Sequence, residues 1–432
     1  MNGCWMNLDL NLIVFSNMAI DGGELKLLIV TQYFWPETFR ITEVVQSLRD
    51  AGCDVTVLTG QPSYPDGVVP PGYSAASLCT QIHDGLTIYR VPLVPRGRGS
   101  ALRLALNYLS FIVSAAVFGP WLLRGCRVDV ILVYAPSPIL QVIPAVWLKW
   151  VKGAKLVTWV QDLWPESLSA TGFVRNQTIL GAVAVLVRWI YRKNDLLLVQ
   201  SQAFIEPVVQ MAGRTPVIYY PNPGELAFSK PSMDGPCPLK LEPGFNVVFA
   251  GNLGTVQALE TLLDAAEILL PCLEIRLVLI GSGSRSAWLE KQVMHRQLKN
   301  VRLLGRFSAD VMPGILSQAS VLLVSLMRSP IMSQTVPGKV QVYLASGRPI
   351  IAALDGEGAR VVMKSGAGLA CPAEDATALA KAVLQLRATS AEELKRMGES
   401  GRRYYDENFD PAFLARQLLE RLDDVVNISA NQ

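Results

Sequence analysis

Histidine is nearly missing from this chain of 432 residues: only His83 and His295 occur, too few for the clusters that hold a catalytic zinc. The seven cysteines (Cys4, Cys53, Cys79, Cys126, Cys237, Cys272 and Cys371) are odd in number, widely spaced and without a C-x-x-C pair. That pattern excludes a disulfide frame or a zinc site and reads as reduced cytosolic thiols. No G-x-x-x-x-G-K-[ST] run occurs, which removes the P-loop NTPases, and no full G-x-G-x-x-G with a following ribose acid occurs, which disfavours a dinucleotide oxidoreductase. Net charge is only +3, too little for a dedicated nucleic-acid binder, and no nucleic-acid partner is expected. Met1–Glu24 lacks the basic start and small-residue cleavage site of a secretory signal, and its apolar stretch Leu10–Ile20 is short and broken by polar residues. It reads as a non-core extension.

What is present is length and alternation. With 50% hydrophobic residues the chain is ample for two α/β domains, at roughly 100–200 residues each. Leu25–Thr31 is an apolar run of strand length. Phe39–Asp50 has helical spacing and ends at Gly52, and Asp54–Gly60 is a second strand, so the chain opens as β-loop-α-β of a doubly wound sheet. The intervening QYFWPETFR puts Glu37 and Arg40 at the carboxyl edge of that sheet, where ligands bind; a Pro36-started helix with Glu37 on its dipole explains the same residues. Gln61–Gly72 is too rich in turn formers to be an element. Lys155–Val160 reads as a strand that delivers Gln161, Asp162 and Glu166 to its carboxyl end, candidates for acid–base work or for an Asx turn and a helix start. Leu196–Gln200 is the last clear strand of this half, and Tyr219–Gly224 reads as a linker.

Charge is unevenly placed: from Gly85 to Gln200 the balance is +9, so the remainder carries −6. A basic face for an anionic partner and a plain solvated surface both fit. Leu104–Leu123 holds no charge, is bracketed by Arg103 and Arg124, and just reaches the roughly 20 residues a membrane span requires. A span, an ordinary buried helix and a membrane-facing helix are the alternatives. Trp147, Trp150 and Trp189 beside Lys149, Lys152, Lys155, Arg188, Arg192 and Lys193 favour the membrane-facing one, because indole sits at headgroup depth and the cations meet lipid phosphate.

The second half repeats the pattern. Strand Asn246–Ala250, turn Gly251-Asn252-Leu253-Gly254, helix Ala258–Leu269, strand Arg276–Ile280, turn Gly281-Ser282-Gly283-Ser284 and strand Val301–Leu304 are followed by Arg306, helix Ala309–Gln318 and strand Val321–Leu326. Then Thr335–Ile351 runs from a Pro337-Gly338 loop into a short amphipathic helix, a second glycine and an apolar strand. Backbone N–H groups and Lys339 at that helix start suit an anion. Asp355–Arg360 is another polar loop at a strand end, Asp375–Leu386 a capped helix, and Phe413–Val426 a final helix placed to fold back across both domains.

Taken together, QYFWPE (Gln32–Glu37), NYLSF (Asn107–Phe111), VQDLWPES (Val160–Ser167), Pro221-Asn222, AGNLGTVQALETLL (Ala250–Leu263), IGSGSR (Ile280–Arg285), VPGKVQVYLASGRPII (Val336–Ile351) and DGEGAR resemble a bacterial family 4 glycosyltransferase of the colanic-acid, O-antigen and capsule type, over nearly all of Leu25–Val426. The resemblance implies an α/β GT-B fold of two Rossmann-like domains facing a cleft. The expected division is an extension at 1–24, an acceptor and membrane-docking domain at 25–222, a nucleotide-sugar domain at 223–410 and a crossing helix at 411–432. It further implies a retaining, metal-independent transfer from a nucleotide diphosphate sugar to a glycan on a polyprenyl diphosphate lipid, without a cofactor, by an enzyme peripheral on the cytoplasmic face of the inner membrane.

With no metal, the departing diphosphate must be met by N–H groups, helix dipoles and cations. Gly251–Gly254 and Lys339 are expected to hold it, with the Gly281–Gly283 turn adjacent, Arg306 or Arg285 near base or phosphates, and Asn252 and Gln257 orienting the loop. Many relatives carry two glutamates eight positions apart, where this chain has Gln334 and Val342; Gln341 or Glu357 are the candidates to stand in at the ribose. Where many relatives have His, Gln161 stands, leaving Asp162 or Glu37 as polar partner of the acceptor hydroxyl. Two rival readings share the pattern: a non-hydrolysing UDP-sugar 2-epimerase, disfavoured by the scarcity of histidine, and a transferase-like docking subunit that has lost its carboxylates.

Overall fold

The computed structural model describes residues 24–97, 101–170, 176–229 and 239–430; the expected extension lies outside them except for Glu24. In the first half the elements run β1 (Lys26–Val30), α1 (Arg40–Asp50), β2 (Asp54–Gly60), β3 (Cys79–His83), β4 (Leu86–Val91), α2 (Ala101–Leu122), β5 (Val130–Ala135), α3 (Ile143–Lys152), β6 (Lys155–Val160), α4 (Glu166–Ala170), α5 (Gln177–Arg192), β7 (Leu196–Val199), α6 (Ile205–Ala212) and β8 (Val217–Tyr219). They build one eight-stranded sheet in the order β3-β4-β2-β1-β5-β6-β7-β8, parallel except where β3 runs against β4. Central strands such as β5, VILVYA, are buried at every position, as a parallel sheet covered by helices on both faces requires.

The second half contains β9 (Phe245–Ala250), α7 (Leu259–Ile268), β10 (Ile275–Ile280), α8 (Ser286–His295), β11 (Val301–Leu303), α9 (Met312–Leu316), β12 (Val321–Ser325), α10 (Pro330–Ser333), α11 (Gly338–Ala345), β13 (Ile350–Ala353), α12 (Glu357–Lys364), β14 (Gly368–Cys371), α13 (Ala376–Ala388), α14 (Ala391–Asn408) and α15 (Pro411–Ala430). Its six strands are all parallel in the order β11-β10-β9-β12-β13-β14. The order reverses between β9 and β12, and in open α/β sheets ligands bind at the carboxyl ends beside such a reversal.

Several expectations need correction. The hairpin of β3 and β4 and the edge strand β8 had no counterpart in the sequence reading, and Tyr219 ends a strand that the reading placed in a linker. The helix expected at Ala309–Gln318 is a single 3-10 turn followed by the short α9, with Pro313 in its first turn. Helix α11 is not amphipathic, since Val340, Gln341, Tyr343, Leu344 and Ala345 are all buried. Helix α15 packs on α1 of the first half, where Leu414, Leu418 and Leu422 join the core of Leu27, Ile29 and Ile41, and Tyr220 donates its hydroxyl to the Leu414 carbonyl at 2.9 Å. Each buried leucine there contributes about 2 kcal/mol.

Helix α2 is long and apolar enough to cross a membrane by length and composition, yet it lies against β2, β4 and α3. Asn107, Phe111 and Ala115 face inward, whereas Leu102, Leu106, Leu109, Val113, Val117 and Trp121 are 45–71% exposed. Of the three alternatives for this stretch, an ordinary buried helix therefore does not describe its outer face. Beside it, Trp147, Trp150 and Trp189 stand exposed around a surface cleft of about 860 Å³ between α3 and α5 that Lys149 and Lys193 also line.

Candidate functional site

At the carboxyl ends of β9 and β10 two glycine turns meet backbone to backbone. Gly251 and Gly281 take φ of +137° and +136°, and a Cβ on Gly281 would stand 1.9 Å from the Gly251 carbonyl oxygen, so neither turn tolerates a side chain. The Asn252 amide fits between them, against Gly254 and Gly283. These turns wall a cavity of about 670 Å³ with Arg306, Lys339, Val342 and Glu225 around it. Tyr343 sets the spacing, because its hydroxyl accepts from the Ala250 N–H at 2.9 Å and donates to the Ala250 carbonyl at 3.2 Å, fastening α11 to the end of β9.

Lys339 reaches into this corner. Its ammonium lies 3.7 Å from the centroid of the Phe249 ring and donates to the Gln257 side-chain oxygen, and its chain covers Gly251 so closely that a Cβ there would be 2.5 Å from Cε. Among the described residues it has no carboxylate partner. Burial therefore pulls its pKa down to about 7, a cation kept short of counter-charge.

The first half supplies Asp162, just past β6. Its carboxylate accepts from the Ser137 N–H at 3.0 Å, and burial lifts it above the ordinary aspartate range. Nearby, the Gln32 side-chain amide donates to Asn107 Oδ1 at 2.6 Å and its backbone N–H donates to Gln141 Oε1 at 2.9 Å, so the QYFWPE loop is anchored to α2 and to the turn before α3. Tyr33 and Phe39 stack at 4.9 Å, and Tyr64 tilts against both.

Besides the packing of α15 on α1, the two halves meet through amides and an ion pair. Gln341 of α11 donates to the Asn222 carbonyl at 2.7 Å, and Asn222 donates to the Gln161 side-chain oxygen at 2.8 Å. Arg40 on α1 bonds Glu43 at 3.0 Å and Glu225 at 3.2 Å.

Of the residues picked out from sequence, Gly251, Asn252, Gly281, Gly283, Arg306 and Lys339 surround one cavity, with Gly254 and Gln257 directly behind it. Others do different work. Both oxygens of Glu37 are taken by N–H groups, of Ser63 at 2.8 Å and Tyr64 at 2.7 Å on one and Phe34 at 3.3 Å on the other, so it ties two loops together. Arg285 turns to Glu260 and lies over the Trp288 ring. Glu357 is gripped by Arg360 three residues on, Gln341 is spent on the linker, and Gln334 only ends α10. The carboxylate that does line the cavity beside Val342 is Glu225, which sequence reading passed over although it follows the quoted Pro221-Asn222 by three residues. Among the described residues no three His, Cys, Asp or Glu side chains gather as a metal would require.

Residues 38–223 match the family model described as a glycosyl transferase 4-like domain, and residues 244–389 match that of the glycosyl transferases group 1. WcaI of Escherichia coli strain K12, whose name places it among colanic acid biosynthesis glycosyl transferases, is 27% identical over 71% of this chain and 76% of its own. WbjE of Pseudomonas aeruginosa, named a probable glycosyltransferase, is 26% identical over 66% of this chain and 73% of its own. Among solved structures, sucrose-phosphate synthase of Thermosynechococcus elongatus superposes with a TM-score of 0.70 at 17% identity, over 94% of this chain and all of the other. Anabaena HepE, solved in complex with UDP, superposes with a TM-score of 0.63 at 15% identity, over 93% of this chain and all of the other.

Proposed function

We propose, from the premise that this chain belongs to the bacterial family 4 glycosyltransferases and has their GT-B fold, that it moves a sugar from a UDP- or GDP-linked donor onto a lipid-linked glycan, with retention at the anomeric carbon. The observation that carries this reading is Lys339, an unpaired cation enclosed against glycine turns whose backbone a diphosphate can approach. As the sugar bond breaks, charge grows on the departing diphosphate, and Lys339 with the N–H groups of the Gly251–Gly254 turn meets it without a metal or cofactor. Glu225 stands where a ribose hydroxyl can donate to it, in the place Val342 leaves unserved. Asp162, largely enclosed and in no ion pair among the described residues, faces the acceptor hydroxyl from the other half.

The tryptophans and lysines of α3 and α5, with the outer face of α2, support docking as a peripheral protein on the cytoplasmic face of the inner membrane. O-antigen, capsule or colanic-acid assembly is the setting that such an acceptor implies. The test is incubation with a panel of UDP- and GDP-sugars and membranes, following label into the lipid fraction. Label with one donor is the expected result. Val342 at the cavity favours a second reading, a docking subunit that binds no nucleotide; absence of calorimetric heat with both UDP and GDP selects it.

A further inference from the structure

Arg96 has no role in the reaction drawn above, and its surroundings are specific. Among the described residues it pairs with no carboxylate; its guanidinium lies 5.3 Å from the centroid of the Tyr64 ring. Tyr64 is one of three rings, with Tyr33 and Phe39, packed at the edge of the cleft, and the Glu37 carboxylate fixes its backbone. Burial raises the Tyr108 hydroxyl, the Arg96 charge pulls it back, and the Asp162 charge pushes it up again, so one tyrosine feels both the free cation and the acceptor-side carboxylate. Asn107, the residue before Tyr108, bonds the Val94 carbonyl, so Arg96 and Tyr108 lie on neighbouring segments, with Asp162 within electrostatic reach of the tyrosine.

The segment carrying Arg96 is strapped along the first turns of α2. The Val94 N–H donates to Ser110 Oγ at 3.0 Å, Asn107 donates to the Val94 carbonyl at 2.6 Å, and a Cβ on Gly97 would meet the Arg103 side chain at 2.8 Å. Arg96 therefore sits at the end of the exposed stripe Leu102, Leu106, Leu109, Val113, Val117 and Trp121. An apolar stripe wants lipid; a half-buried arginine without a carboxylate partner at its end suits a bidentate anion.

We propose that Arg96 and the Tyr64 and Tyr108 rings form the subsite for the diphosphate of a polyprenyl diphosphate carrier, whose hydrocarbon lies in the bilayer beside α2. The glycan then passes from Arg96 past the three rings toward Asp162. This rests on the lipid-acceptor reading, and it adds where the carrier is gripped and by which charge. A free phosphate would need the cation but not the stripe, and a second copy of the chain would need the stripe but not the cation.

The test uses the whole chain floated with phosphatidylcholine vesicles that carry either a polyprenyl diphosphate or the matching polyprenol. The expected result is about tenfold tighter binding to the diphosphate vesicles, the loss typical of removing one charged hydrogen-bonding group, and its disappearance in Arg96→Gln. Val113→Asp should weaken binding to both vesicles and leave their ratio unchanged. UDP affinity by calorimetry should be the same in all three proteins, which shows that each is folded. Equal binding of wild type to both vesicles, a wild-type ratio in Arg96→Gln, or a dimer that buries α2 and ignores vesicles would overturn the proposal. Failure of sugar transfer with the vesicle ratio intact would instead strike the transferase reading and leave the subsite standing.

Discussion

The two walls of the cleft handle charge in opposite ways. The wall from the second half encloses a cation, Lys339, that meets the neutral Gln257 oxygen and the Phe249 ring; the wall from the first half encloses an anion, Asp162, that accepts from the Ser137 N–H; among the described residues neither forms an ion pair. Burial pushes each toward its neutral form, Lys339 to about 7 and Asp162 above the ordinary carboxylate range. On the proposed reading each wall lacks the partner that one substrate would bring: a diphosphate for the lysine, a hydroxyl proton for the aspartate. The two opposite charges are held on separate walls.

Removing the anion should break this contrast most. Asp162→Asn is expected to lower turnover by at least about 10²-fold while UDP affinity stays unchanged, because a positioned acid–base group is worth roughly 10²–10⁴-fold; turnover within a few-fold of wild type would end the assignment. Lys339→Met should come next, weakening UDP binding about 10- to 100-fold by calorimetry, the loss expected for one charge-assisted contact.

Acidity sharpens the same comparison. Because the free protein holds Lys339 near pKa 7 and a bound diphosphate raises it, binding takes up a proton, and UDP affinity should fall as pH rises from 7 toward 9, by at most about tenfold per unit. The slope should vanish in Lys339→Met. For the fold the sign follows from the same depression: the unfolded chain binds more protons between about 7 and the ordinary lysine value, so the penalty of burying Lys339 is relieved as pH rises through that window. The smallest effect is expected at Glu225→Gln, a rise of a few-fold in the donor KM with little change in kcat, roughly what one hydrogen bond to ribose contributes.

Much of this was legible beforehand for identifiable reasons. Parallel strands buried on both faces read as apolar runs, and the glycine turns stand out because close backbone approach leaves them no alternative. What escaped lacked such signals. Strand β3, CTQIH, is half-exposed and polar, and β8 is three residues beside a proline-rich linker. The side-chain partners that escaped share a cause, since each is one that only the fold brings near: for Glu37 the N–H groups of a loop about 26 residues on, for Arg285 a glutamate on α7, for Gln341 the linker. Glu357 is the exception, since Arg360 lies at i+3 on the same helix and that pairing could have been read directly.

The contacts that join the halves differ in kind, and this bears on how the cleft responds to its medium. The chain from Gln341 through Asn222 to Gln161 is made of neutral amides, which dissolved salt does not screen, whereas the Arg40–Glu225 pair is partly exposed and weakens as the Debye length shortens. Ionic strength therefore loosens one fastener and leaves the other. Since Glu225 also lines the cavity beside the glycine turns, raising salt frees a carboxylate there while the amide chain stays tied.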